Sequence, residues 1–277
     1  MPRLIARAIL AATVALSAAA HAAQPRPPAY GGLPATYSYA RLARLAGAAP
    51  VVIAATIRSA LPLKDVAGLE VGRTRFYVEA DVTALIAGNA ALPATVTYLV
   101  DLTMPPAQGR KRLKGVPVLL LVAPTGTPGA LRLIAPDAQL PRTPENETRL
   151  RAILTASLAR DAPPLIEGIT RAFHVAGSLP GESETQIFLK TADARPISLT
   201  VLRRPGEAPR WAVSLTEMVD NSAAPPRPDS LLWYRLACGL PPSLPDAALA
   251  GLEEENAGAA RADYRVVLEG LGPCNAS

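Results

Sequence analysis

A histidine stands a short distance before an acidic loop that carries a hydroxyl: His174, then Glu182-Ser183-Glu184. A serine nucleophile, an imidazole base and an acid that orients the imidazole would make a hydrolytic triad. Ser183, His174 and either Asp193 or Glu184 could fill those three roles. Glu182 and Glu184 could instead form a glycosidase pair, which needs two carboxyls about 5–10 Å apart and one raised pKa. In an extended loop residues i and i+2 share a face, so the pair can approach, although its surroundings are polar. The spacing demands neither chemistry. A strand-end histidine beside a solvated acidic loop accounts for the same residues.

Other chemistries lack their parts. His21 is expected to leave with a leader, so His174 would be the single histidine of the mature chain. Cys238 and Cys274 are the only cysteines, which leaves no ligand set for a common zinc site. The sequence holds no D-x-D-x-D-G calcium loop, no GxxxxGK[ST] or GxGxxG phosphate loop and no GxSxG elbow. Neither a metal nor a cofactor is expected. The basic run Arg110-Lys111-Arg112 with Lys114 offers contact with an anion, or else a charged hairpin tip that keeps strand edges from pairing with other chains. Nucleic-acid binding on such a surface relies on stacking aromatics, and only Phe76, Tyr77 and Tyr98 lie nearby, Phe76 facing inward. No nucleic-acid partner is expected. Ser198, Thr200, Ser214 and Thr216 read as a solvated sheet face, and Trp233-Tyr234 as core and boundary.

The chain has 277 residues, 49% apolar, 18% charged and 4% aromatic, enough to bury a sizeable core. Arg3 and Arg7 precede an uncharged run over 8–20, and Ala20-His21-Ala22 fits the small-x-small cleavage rule. That run is shorter than the about 20 residues a spanning helix needs, so residues 1–22 read as a signal peptide. Its removal lowers the formal charge from +5 to +3, too little to require a polyanionic partner. No later stretch is long and apolar enough to span a membrane. Heavy Ala, Arg and Pro usage points to a GC-rich bacterium, and hence to a periplasmic or secreted protein. An oxidising compartment favours a structural bridge between Cys238 and Cys274, stabilising by about 4 kcal/mol in the chain-entropy model.

Residues 23–49 read as a Pro-rich lead and a first helix, with Tyr39, Leu42 and Leu45 on one face. Strand-like runs follow at 51–59, 74–85, 95–102, 116–122 and 131–134, separated by Gly/Pro breaks. Five short strands so spaced favour a small closed or partly closed barrel over 50–141. A second unit, 142–277, opens with a helix capped by Thr143, with Leu150, Ile153, Leu154 and Leu158 in one stripe. A three-strand meander over 185–217 follows. Ile187, Leu189, Ile197, Leu199, Val201, Trp211, Val213 and Leu215 share one parity, and the Ser/Thr set the other. Asp229 should cap a short helix toward Cys238. Residues 246–262 are low-complexity and partly loop, before a last helix carrying Tyr264, Val267, Leu268 and Leu271.

The order of strands at 51–57, 76–88, 96–100 and 118–122, with a Leu-x-x-Gly turn at Leu85 to Gly88, resembles exported bacterial domains with an OB-like barrel. The segments PGESETQIFL (180–189) and LLWYRLAC (231–238) are similar to uncharacterised exported proteins of Gram-negative bacteria. The likeness implies a fold and a compartment and carries no catalytic residues. The expected architecture is α+β: a small OB-like antiparallel β-barrel, then a helix, a meander sheet and disulfide-linked C-terminal helices. The expected function is that of a non-catalytic envelope protein binding another protein or a polar or anionic ligand. The alternative is a periplasmic hydrolase using His174 with the Glu182-Ser183-Glu184 loop.

Overall fold

The structure is a computed structural model that describes residues 36–64, 66–215 and 224–275. The expected signal peptide, the Pro-rich lead to residue 34, and Thr216 lie outside the described residues.

Helix α1 (Tyr39–Ala48) starts at Ser38, whose hydroxyl accepts the Arg41 N–H at 3.2 Å. It buries Tyr39, Leu42 and Leu45, the face its spacing marks. Strands β1 (Val51–Pro62), β2 (Thr74–Ala87) and β3 (Thr95–Leu102) run antiparallel. Helix α2 (Pro106–Leu113) follows, then β4 (Pro117–Pro124), β5 (Leu131–Leu133) and β6 (Gln139–Pro141). The sheet order is β3-β2-β1-β4-β5, with β6 also paired to β4. β5 returns beside β3, where Thr97 and Ala130 form one parallel bridge.

One face of this sheet packs Ile53, Ile57, Phe76, Val78, Tyr98, Val118 and Leu120 into a core. The opposite face of β1 and β4 packs Val52, Ala54, Leu119 and Leu121 against α1 and helix α3 (Pro144–Leu158). Two covered faces explain why β1 and β4 are nearly continuous apolar runs and do not alternate. Although the sequence division groups α3 with the second sheet, its Leu150 and Ile153 pack here beside α1. Thr143 caps it, accepting the Asn146 N–H at 3.0 Å. Arg142 reaches Glu147 at 2.6 Å, and that guanidinium with Arg151 holds the Glu147 carboxyl below the usual range.

The basic run lies on a helix and not at a hairpin tip. Pro106 opens the first turn of α2, Leu113 is buried, and Gly109 comes so near that an added Cβ would strike the Phe76 ring. The helix thus closes over the core, leaving Lys111, Arg112 and Lys114 exposed on and just after it, with Arg110 on its backbone.

The second sheet has the order β10-β9-β8-β7, from β7 (Ile166–Ala176), β8 (Ser183–Thr191), β9 (Ile197–Arg203) and β10 (Arg210–Ser214). Its inner face buries Ile187, Leu189, Ile197, Leu199, Val201, Trp211 and Val213, the parity read from the alternation; Leu215 is exposed. Ser198, Thr200 and Ser214, expected to be wet, are buried as well. Two of these short side chains sit beside larger ones, Thr200 opposite Gln186 and Ser198 opposite Phe188. Helices α4 (Leu231–Gly239) and α5 (Glu254–Leu271) cover the inner face. Ser230, not Asp229, caps α4, accepting the Trp233 N–H at 3.2 Å, while Asp229 adopts a φ of 55° just before it. α5 begins well inside the stretch expected to be partly loop. Trp233 meets Tyr39 edge-on at 6.5 Å and joins the two lobes.

Cys238 and Cys274 are bonded, closing a span of 36 residues from α4 past the end of α5. Among the described residues no helix is long and apolar enough to cross a membrane. The bridge restrains the unfolded chain, so Cys274→Ser should cost about 2–4 kcal/mol in urea unfolding. An unchanged midpoint would show that α4 and α5 hold without it.

Candidate functional site

His174 on β7 lies opposite Thr185 on β8, and Thr185 lies opposite Val201 on β9. α5 crosses this end of the sheet and lays Asp263 onto it. His174 Nδ1 is 2.7 Å from Thr185 Oγ1, the Thr185 hydroxyl donates to Asp263 Oδ2, and Arg203 Nε donates to Asp263 Oδ1 at 2.6 Å. Thr185 and Asp263 are fully buried, and the His174 side chain is only 8% exposed. A hydroxyl has one proton. Since Thr185 gives its proton to Asp263, the proton in the first contact sits on Nδ1, and His174 donates.

These four residues make a chain of satisfied polar groups between sheet and helix. They do not make the expected triad. Ser183 pairs across the strands with Ala176 and Arg203, two residues from the hydroxyl that His174 touches. Asp193 is held by Arg195 at 2.7 Å in the β8–β9 turn, and Glu184 accepts from Gln186 Nε2 at 2.7 Å. The acid beside His174 is Asp263, which nothing in the local spacing marks. The hydroxyl on the imidazole is out of reach of solvent, so it cannot attack a substrate.

Glu182 and Glu184 both line a cleft of about 340 Å³ at the hairpin end, shared with Ser178, Ser183, Arg203 and Arg204. Glu182 accepts the Leu179 N–H at 3.4 Å and lies so close to Gly177 that an added Cβ would strike its carboxylate. Among the described residues no group of three His, Cys, Asp or Glu side chains could hold a metal ion.

The first lobe offers an apolar surface. Leu61 on β1, Tyr77 on β2 and Leu99 on β3 are direct register partners, exposed by 44%, 36% and 46%. Phe76 and Tyr98, of the opposite parity, point inward. Tyr98 donates to Gln139 Oε1 at 2.7 Å, and burial pushes its hydroxyl far above the usual tyrosine value. Ion pairs bound the apolar row: Arg75 grips Asp101 through two bonds of 2.6 and 2.7 Å, and Arg58 reaches Asp81 at 2.7 Å. Beside the row, between β3 and β5, runs a groove of about 480 Å³ lined by Leu99, Leu131, Leu133, Ile134 and Pro136.

Asp263→Ala strands a buried hydroxyl and releases Arg203, so it should cost about 2–4 kcal/mol in urea unfolding, while Asp193→Ala, at an exposed turn, should leave the midpoint nearly unchanged. Equal losses would contradict the assignment of Asp263 as the holding group. The Arg75 hydrogen bond lowers the Asp101 pKa. A carboxylate so lowered stabilises the fold above its unfolded value of about 4, and the gain is lost as pH falls through the folded value. Arg75→Gln should therefore lower stability at pH 7, by no more than about 0.5 kcal/mol for so exposed a pair, and match the parent at pH 2–3. A gap that persists in acid would point to packing instead. No protein-family model matches this chain, and no curated protein matches it in sequence, so the reading of both sites rests on their geometry.

Proposed function

We propose that the chain is an exported, non-catalytic envelope protein that recognises another protein through the open face of its first sheet. In this reading the first sheet is an OB-like barrel. The strand circuit from β1 through β2 and β3, back by β5 and β4, supports it, as does α2 packed over the core between β3 and β4. Export draws support from the bridged cysteines.

The observation that carries the binding role is the row Leu61, Tyr77 and Leu99, three large apolar side chains in register on an uncovered face. Contiguous apolar surface rimmed by charged pairs is the mark of an interaction site. A hydrolase built on His174 with Glu182, Ser183 and Glu184 has less behind it, because the imidazole's Nδ1 is committed to Thr185.

A photo-cross-linking residue placed at Leu99 should capture a discrete protein adduct in the native compartment, and one at Leu158, exposed on α3, should not. The adduct should fall severalfold when Leu61 and Tyr77 are both replaced by Ser. Equal labelling from the two positions, or an adduct indifferent to the double substitution, would sink this reading. So would His174-dependent turnover of ester or glycoside substrates.

A further inference from the structure

The groove between β3 and β5 is bounded by two strand edges that run out of partners. Thr97 N donates to Gly129 O at 2.8 Å, so the odd-numbered residues of β3 turn their backbone groups toward β5. On the other side, Ala130 O accepts from Thr125 N at 3.3 Å, and Ile134 N donates to Leu121 O at 3.2 Å. The even-numbered residues around β5 therefore face β4, and Leu131 and Leu133 turn theirs toward β3. Among the described residues Thr97–Ala130 is the one bridge between the two strands. Leu99 and Asp101 on one side, and the Leu131 carbonyl with the N–H and C=O of Leu133 on the other, thus face the groove, the Leu131 N–H being taken by the bridge.

Backbone polar groups on an apolar groove wall need water or another backbone as partner. Pairing groups two residues apart recur about every 6.8 Å, the repeat of an extended strand. The groove also has a charge to offer. Arg132, on β5 at its rim, is exposed and makes no ion pair among the described residues. Arg75 and Asp101, at the opposite rim, neutralise each other.

We propose that this seam binds an extended segment of a partner protein by strand addition to the Leu99–Asp101 edge of β3. The segment's inward side chain is apolar and fills the space against Leu131, Ile134 and Pro136. A neighbouring outward side chain is acidic and meets Arg132. This deepens the binding role proposed above, rests on it, and names the chemistry of the partner. Main-chain pairing supplies affinity, and the anchor and the acid supply specificity.

The probe is a phage-displayed library of random linear dodecapeptides, selected on the purified disulfide-bonded chain. Enriched peptides should share an apolar anchor with Asp or Glu nearby. For a synthetic peptide of that sequence, Arg132→Glu should weaken binding about tenfold or more, the loss expected for a charge-assisted hydrogen bond. N-methylation at alternate residues should abolish binding in one parity and leave it nearly intact in the other.

No enrichment, or binding indifferent to both Arg132→Glu and the parity of methylation, overturns the proposal. A peptide of residues 24–34 that competes equally well would assign the groove to the chain's own lead and overturn it. A concentration-dependent dimer lost in Arg132→Glu would do the same. The broader binding role fails separately: if Leu99 cross-links persist while no peptide binds, that role stands and strand addition falls.

Discussion

The first sheet is covered on both faces along β4, the first half of β1 and the end of β2, but on one face only at the far end of β1, the first half of β2 and β3, and most of the surface follows from that asymmetry. Val52, Ala54, Leu119 and Leu121 require a lid on the side away from the main core, and α1 and α3 supply it. Each fully buried aliphatic side chain is worth about 1.5–3 kcal/mol, so a strand pair this apolar could not be left open. Both helices are spent on that task. None remains for the outer side beyond them, where Leu61 at the far end of β1, Tyr77 on β2 and Leu99 on β3 stay uncovered. The same closure leaves β5, only three residues long, too short to zip along β3.

The second lobe solves a different problem. An open antiparallel meander packs its apolar side under α5, and a helix lying on a smooth aliphatic face can slide or rotate. Asp263 removes that freedom. Its two oxygens answer Thr185 and Arg203, on neighbouring strands, so one rotation and one height of α5 satisfy both. A buried carboxylate is costly to dehydrate, and this one is tolerated because it is fully hydrogen-bonded. The bridge at Cys274 and the Trp233 indole, donating to Leu271 O at 2.8 Å, fix the other end of the helix.

Much of this was legible in the sequence because it is local. The apolar runs of β1 and β4, the Thr143 cap and the meander's alternation are written in spacings of one to four residues. What escaped is set by contacts across the chain. Asp263 and Thr185 are 78 residues apart, and the helix that joins them begins in Ala/Glu/Gly sequence with little periodicity. Short α2 looked like a polar tip because its fit depends on Gly109 against Phe76, a tertiary contact. Ser198 and Thr200 looked wet because polarity marks a face, whereas burial depends on the neighbours. The partners of His174 are Thr185 across the hairpin and, through it, Asp263 on a distant helix, so local spacing cannot identify them.

Chemistry and recognition make opposite demands on polar groups, and the two lobes separate them. A catalytic side chain must keep a lone pair or proton uncommitted at a place substrate can reach. The His174 cluster does the reverse: its hydroxyl and carboxylate are buried, and every proton that can be assigned within it is given to another member. The first lobe instead presents strand-edge amides and carbonyls beside apolar side chains and Arg132, which makes no ion pair among the described residues. Such groups hold no reactive atom, but they are what an incoming backbone requires. In the proposed reading, that free hydrogen-bonding capacity is what an incoming chain would pair with.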